Sequence, residues 1–133
     1  MNITSKSRYA LKIMMDLAFC GTPLERRHDI ARRQGIPADY MDQILTRLRV
    51  HGLVESIRGR RGGYRLAITP DAISVFDIFR AAEDSIVPVS CLVDDQGCQE
   101  DCQTAPAWDR IFNQFRSSLS GLTLAELVAD IPQ

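Results

Sequence analysis

Several things are missing from this chain of 133 residues. No apolar stretch approaches the ~18–20 residues that a helix needs to span a bilayer, so no membrane role is expected. In the opening MNITSKSRYALK, charge interrupts the apolar residues and no small-residue cleavage site follows, so no signal peptide is expected either. There is no C-x-x-C pair and no phosphate-binding glycine loop. Neither His28 nor His51 is placed to activate a cysteine, and these absences argue against an enzyme. Internal repeats and low-complexity tracts are also lacking. Acid is scarce in one half and base in the other. Residues 1–65 carry 13 basic and 6 acidic side chains, whereas residues 66–133 carry 3 and 11. The net charge of −1 conceals that split, and the basic half points to a polyanionic partner.

What is present suits one small domain with an appended element. Apolar residues make up 45% of the chain, which supplies an ordinary core and argues against wholesale disorder. With no export signal, a reducing cytoplasm is the expected location. There the four cysteines are thiols or metal ligands rather than disulfides.

The periodicity predicts a first helix from Ser5 to Phe19, with Ser5 as its cap and Tyr9, Ala10, Ile13, Met14, Leu17 and Ala18 on one face. Gly21-Thr22-Pro23 stops it, leaving Cys20 at the end as an expected small buried hydrophobe. Residues 27–34 form a second helix and residues 38–50 a third. Gly35-Ile36-Pro37 turns the chain between them, which is the pattern of a helix-turn-helix. An ordinary packed helical hairpin is the plainer alternative. Two alternating runs follow, 53–58 and 64–68, joined by Gly59-Arg60-Arg61-Gly62-Gly63. A hairpin in this place is the wing of a winged helix, and its glycines would bring the backbone close to whatever the tip touches. A helix over 74–83 has a Ser74/Asp77 capping box, and residues 84–105 read as loop. A helix then runs from Thr104 or Ala105 to Leu119. Its stripe of Trp108, Ile111, Phe112, Phe115 and Leu119 suits either a dimer contact or intramolecular core. A second capping box, Thr123/Glu126, opens a last helix, Leu124–Ala129.

The fold class is therefore mainly α with a small β-hairpin wing (α+β), a winged helix-turn-helix plus a long dimerisation helix. The expected division is 1–83 for DNA binding, 84–105 for a cysteine loop, and 106–133 for the dimerisation and C-terminal helices. The start of the third helix would enter the major groove of double-stranded DNA. It presents Ala38, Asp39, Tyr40, Asp42, Gln43 and Arg47. Gln43 can pair with adenine, and Asp42 can accept from a cytosine amino group. Arg47, Arg49, Ser5 and Lys6 suit phosphates. The wing residues Arg58, Gly59, Arg60 and Arg61 suit a narrow minor groove. Solvated surface charge is the plainer account of any one arginine, but a weaker one for the constellation. A homodimer would place two recognition helices roughly 34 Å apart on a palindromic operator.

Cys91, Cys98 and Cys102 follow a C-x(6)-C-x(3)-C spacing. Three thiols suit a metal centre with one further ligand. Zinc would want a fourth Cys or His, and the loop has no His, whereas iron–sulfur clusters tolerate incomplete cysteine ligation. The neighbouring acids Asp94, Asp95, Glu100 and Asp101 disfavour bare thiolates and so argue against an activated nucleophile.

The segments TSKSRYALKIMMDLA and IARRQGIPADYMDQILTRLRVHGLVESIRGRRGGYRLA, the three loop cysteines, Trp108 and LTLAELV together resemble the IscR/NsrR/RirA-type winged-helix iron–sulfur regulators. The resemblance spans about residues 1–130. It implies a homodimeric cytoplasmic transcription regulator, mostly of the repressor kind. Operator binding would be controlled by a 2Fe–2S or 4Fe–4S cluster sensing iron, redox state, nitric oxide or cluster status. It assigns Cys91, Cys98 and Cys102 as metal ligands, Asp42 as the acid that discriminates operator classes, and Arg58 as a wing contact. The fourth ligand does not carry over. The histidine position of IscR-like members holds Ala105 here, and the carboxylate position of NsrR-like members holds Arg8. A thiol-redox or partner-controlled repressor without a cluster is the alternative.

Overall fold

The computed structural model describes residues 4–20, 23–84 and 103–132. Six α-helices and one two-stranded hairpin are found there: α1 (Ser5–Cys20), α2 (Arg27–Gln34), α3 (Ala38–Val50), β1 (Val54–Ile57), β2 (Gly63–Leu66), α4 (Val75–Ala82), α5 (Ala105–Ser120) and α6 (Leu124–Ala129). A 3₁₀ turn at Pro70–Ala72 precedes α4. The helix-turn-helix and wing stand as the sequence predicts.

The helix ends follow local chemistry. α1 runs one residue beyond its expected end, and its cap is Thr4 rather than Ser5. Thr4 Oγ1 accepts from the Lys6 N–H at 3.2 Å, so Ser5 already lies inside the helix. Gly35 closes α2 in the left-handed conformation (φ 65°), which a residue without Cβ adopts freely. The Ser74/Asp77 capping box forms in both directions, and Thr123 accepts from the Glu126 N–H.

The core is built from one face of each helix of the winged-helix body. Ala10, Ile13, Met14 and Leu17 of α1 meet Ile30 of α2 and Met41, Ile44, Leu45 and Leu48 of α3. Ile73, Val75, Ile78 and Phe79 close the layer from the α4 side. Each large aliphatic side chain buried this way contributes about 1.5–3 kcal/mol. α6 joins the same body. Its Leu124 is fully buried and donates its N–H to Ile73 O at 2.8 Å, and Val75 donates to Leu122 O at 2.9 Å. α5 differs, because none of its residues is buried. Its Arg116 guanidinium sits 5.3 Å from the Phe76 ring centroid, and Leu119 packs against the core, so only its C-terminal part rests on α4.

Candidate nucleic-acid interface and sensing loop

α3 has two faces because its apolar residues recur at helical spacing. Met41, Ile44, Leu45 and Leu48 point inward, leaving Ala38, Asp39, Asp42, Gln43 and Thr46 exposed along the other face. The sequence places Tyr40 at the DNA. The structure leaves it 38% exposed, with its ring edge-on to Tyr9 at 5.2 Å between centroids. Asp42 is ion-paired with Arg27 of α2. Arg47 reaches backward, donating to Ala82 O at 3.3 Å and to Asp84 Oδ1 at 2.9 Å. It can meet a phosphate only by sharing or leaving those partners.

The wing pairs Val54 with Leu66, Glu55 with Arg65, Ser56 with Tyr64 and Ile57 with Gly63. An ion pair between Arg65 and Glu55 spans the strands. Arg58, Arg60 and Arg61 are exposed around the turn. The glycines are required by the wing's own backbone. Gly59 has φ 113°, and a Cβ on Gly62 would lie 2.0 Å from Ile57 O. A Cβ on Gly63 would lie 2.7 Å from Glu25 O, because Glu25 and Tyr64 exchange backbone hydrogen bonds of 2.9 and 2.7 Å. That extra bridge locks the wing onto the segment before α2.

Two polar networks have no periodic signature in the sequence. In the first, Arg33 donates from Nε and Nη2 to Asp16 at 3.0 and 2.6 Å, and from Nη2 to Glu25 at 2.8 Å. Gln34 adds a 2.9 Å bond to Asp16. Burial works to raise the Asp16 pKa, but the bonds from Arg33 and Gln34 and the Arg33 charge hold it below the usual carboxylate range. Arg33 is held more firmly protonated by the same contacts. Cys20 is half-buried rather than core. Its thiol lies 3.6 Å from Asp16 Oδ1, and burial and that carboxylate push its pKa up.

In the second network, Glu83 Oε1 accepts from the Thr4 N–H at 3.3 Å, from the Ser7 hydroxyl at 2.8 Å and from the Thr4 hydroxyl. Burial would raise the Glu83 pKa, but these bonds and nearby Lys6 lower it. Asp84 is lowered by its bond to Arg47 and by the charges of Arg47 and Lys6. Glu83 and Asp84 are the last described residues before position 103. They touch both the start of α1, where Ser5 and Lys6 lie, and the recognition helix α3.

Cys91, Cys98 and Cys102 lie outside the described residues. Among the described residues no group of three His, Cys, Asp or Glu side chains could hold a metal ion, and no helix is long and apolar enough to cross a membrane.

The profile of the Rrf2 family, described as an iron-dependent transcriptional regulator, matches residues 3–130. The HTH-type transcriptional regulator IscR of Aliivibrio salmonicida is 39% identical over 136 aligned positions, covering 98% of this chain and 79% of that protein. Among solved structures, CymR (YrzC), the global cysteine regulator of B. subtilis, superposes with a TM-score of 0.83 at 36% identity, covering 99% of each chain. IscR of T. potens superposes with a TM-score of 0.74 at 31% identity, covering 100% of this chain and 93% of that one. Regulators of this family bind DNA and dimerise. The chain is not an enzyme; it belongs to the Rrf2 family of DNA-binding transcription regulators.

Proposed function

We propose that this chain is a homodimeric repressor that reads a palindromic operator, and that its three-cysteine loop controls the reading through an iron–sulfur cluster. The carrying observation is the contact made by Glu83 and Asp84. The two residues leading into the cysteine segment hold Thr4, the cap of α1, Ser7 within it, and Arg47 of α3. A change in the loop therefore pulls on two elements at the expected DNA surface. Two arrangements of these contacts would differ in how α3 sits, and the state of the loop would bias their populations. Against a half-site spacing of roughly 34 Å, a few ångströms of misplacement cost several base contacts at ~1–3 kcal/mol each.

The division of labour follows. Residues 1–83 hold DNA, 84–105 form the sensing loop, and α5 supplies the dimer contact. Gln43 and Asp42 read bases, the start of α1 with Ser5 and Lys6 meets phosphates, and Arg58, Arg60 and Arg61 enter the minor groove. The donor set for a cluster is Cys91, Cys98 and Cys102. Cys20 is poorly suited to join them, because its thiol is held protonated beside Asp16. Three soft thiols suit iron–sulfur ligation. When bound, such a cluster supplies a group that responds to redox state and iron supply.

A second reading is favoured by the TM-score of 0.83 to a cysteine regulator, alongside the IscR-named relatives. In it the thiols themselves are the switch. Random-duplex selection with anaerobically prepared protein tests the shared part. It should enrich a palindrome with half-sites about one turn apart, and no enrichment would overturn the operator assignment. Mass spectrometry of oxidised protein separates the two switches, since a Cys98–Cys102 disulfide in iron-free protein supports the second.

A further inference from the structure

The N-terminal end of α2, the C-terminal end of α3 and the wing enclose a cleft of about 700 Å³. Six of its lining residues are Arg26, Arg27, His28, Arg49, Arg58 and Arg60, and no carboxylate lies among its described lining residues. Arg49 and Arg58 have no ion-pair partner among the described residues, whereas Arg27 shares its charge with Asp42. Arg26 crosses the cleft and donates to Arg60 O in the wing turn, so the two walls are tied together.

Bringing this many cations together costs repulsion unless an anion joins them. A folded cleft of this charge, open to solvent, is built for a polyanion. Its position decides which one. It lies between the helix expected in the major groove and the wing expected in the minor groove. The DNA strand separating those grooves presents its phosphodiester oxygens there. Arginine guanidinium groups match such oxygens with paired N–H donors, and α2 opens at the same end without a side-chain cap.

We infer that the cleft between α2 and the wing is a phosphodiester seat for the DNA strand crossing between the two grooves, with Arg26 and Arg49 as its principal cations. Arg26 lies outside both the recognition helix and the wing, and Arg49, read from the sequence as a phosphate contact, joins it from the far end of α3. The inference rests on the winged-helix DNA reading above. A positioning seat of this kind adds affinity on any sequence and leaves the base preference to α3.

The test uses the full-length chain and two fluorescent duplexes, one enriched by selection and one scrambled, titrated from low to high salt. Arg49→Ala should reduce the slope of log affinity against log salt by about 0.9 for each protomer on the duplex, equally on both sequences. Arg26→Ala/Arg49→Ala should reduce it by about 1.8 per protomer. Arg26→Lys/Arg49→Lys should keep most of the slope, because the charge stays. All these positions are exposed, and a thermal melt checks that each variant folds. An unchanged slope in the double alanine variant, with wild type binding normally, removes the cleft and leaves the DNA reading standing. A loss confined to the selected duplex makes these residues base readers and overturns the seat. A wild-type protein that binds neither duplex removes both.

Discussion

The winged-helix body and α5 solve the problem of apolar surface in opposite ways. In the body, α1, α3 and α4 each turn a full face into a shared core, with Ile13, Met14, Ile44, Leu48 and Ile78 wholly out of solvent. α5 carries bulkier side chains along one stripe, yet none is buried, and Ile111 stays 48% exposed. The first region is complete within one chain. The second leaves its stripe uncovered among the described residues, and the dimer contact proposed above would cover it. Charge divides along a different line, inside the body, with 13 of the 16 basic residues in positions 1–65.

The sharpest way to break this contrast is to replace Ile111 and Phe115 with Asp. Two charges per protomer in a dimer contact should raise the dissociation constant roughly a thousandfold by sedimentation. The far-ultraviolet dichroism and melting cooperativity of the body should survive. A variant that unfolds outright, or one that stays dimeric, would mean that α5 is internal core or idle surface.

A smaller effect is expected inside the body. Arg33→Ala leaves the Asp16 and Glu25 carboxylates buried with their shared cation gone. Stability should fall by roughly 3 kcal/mol, at the low end for a buried pair, because the Arg33 side chain is itself 36% exposed. Urea unfolding measures this, and a change within error would show that the network is only decorative.

The smallest effect is a pH dependence. Asp16 and Glu83 both have folded pKa values below their ordinary ones, so each folded carboxylate binds its proton less readily than in the unfolded chain. Their stabilisation is fully present above about 4, the ordinary carboxylate range, and is lost as pH falls through the lower folded values. Asp16→Asn should flatten the acid limb of a stability-against-pH curve. An unaltered limb would contradict the assigned proton linkage.

Most of the fold was legible because its signals are local. α2 and α3 begin and end where the Gly35 turn and the 3.6-residue period place them, and both capping serines and threonines act within three residues of themselves. The first helix cap was misplaced by one residue because Thr4 and Ser5 are both good caps, and only the backbone path chooses between them. What pattern could not reveal were contacts between distant residues. Glu83 meets Thr4 across 79 positions, and Asp16 meets Arg33 across 17, with nothing periodic to join them. In the sequence these acids look like ordinary surface charge. The exposed face of α3 was readable, but the turning back of Arg47 onto Asp84 was not, since it depends on where α4 ends.

A cysteine loop that holds a cluster and governs DNA binding, as proposed above, makes a demand on both composition and affinity. The most direct measurement is iron and sulfide content with duplex affinity, side by side, for anaerobically purified wild type and Cys91→Ser/Cys98→Ser/Cys102→Ser. The account predicts a coloured wild type containing iron and sulfide, a colourless variant without them, and different affinities for the selected duplex. A colourless wild type lacking iron and sulfide, under conditions that load other cluster proteins, would contradict it.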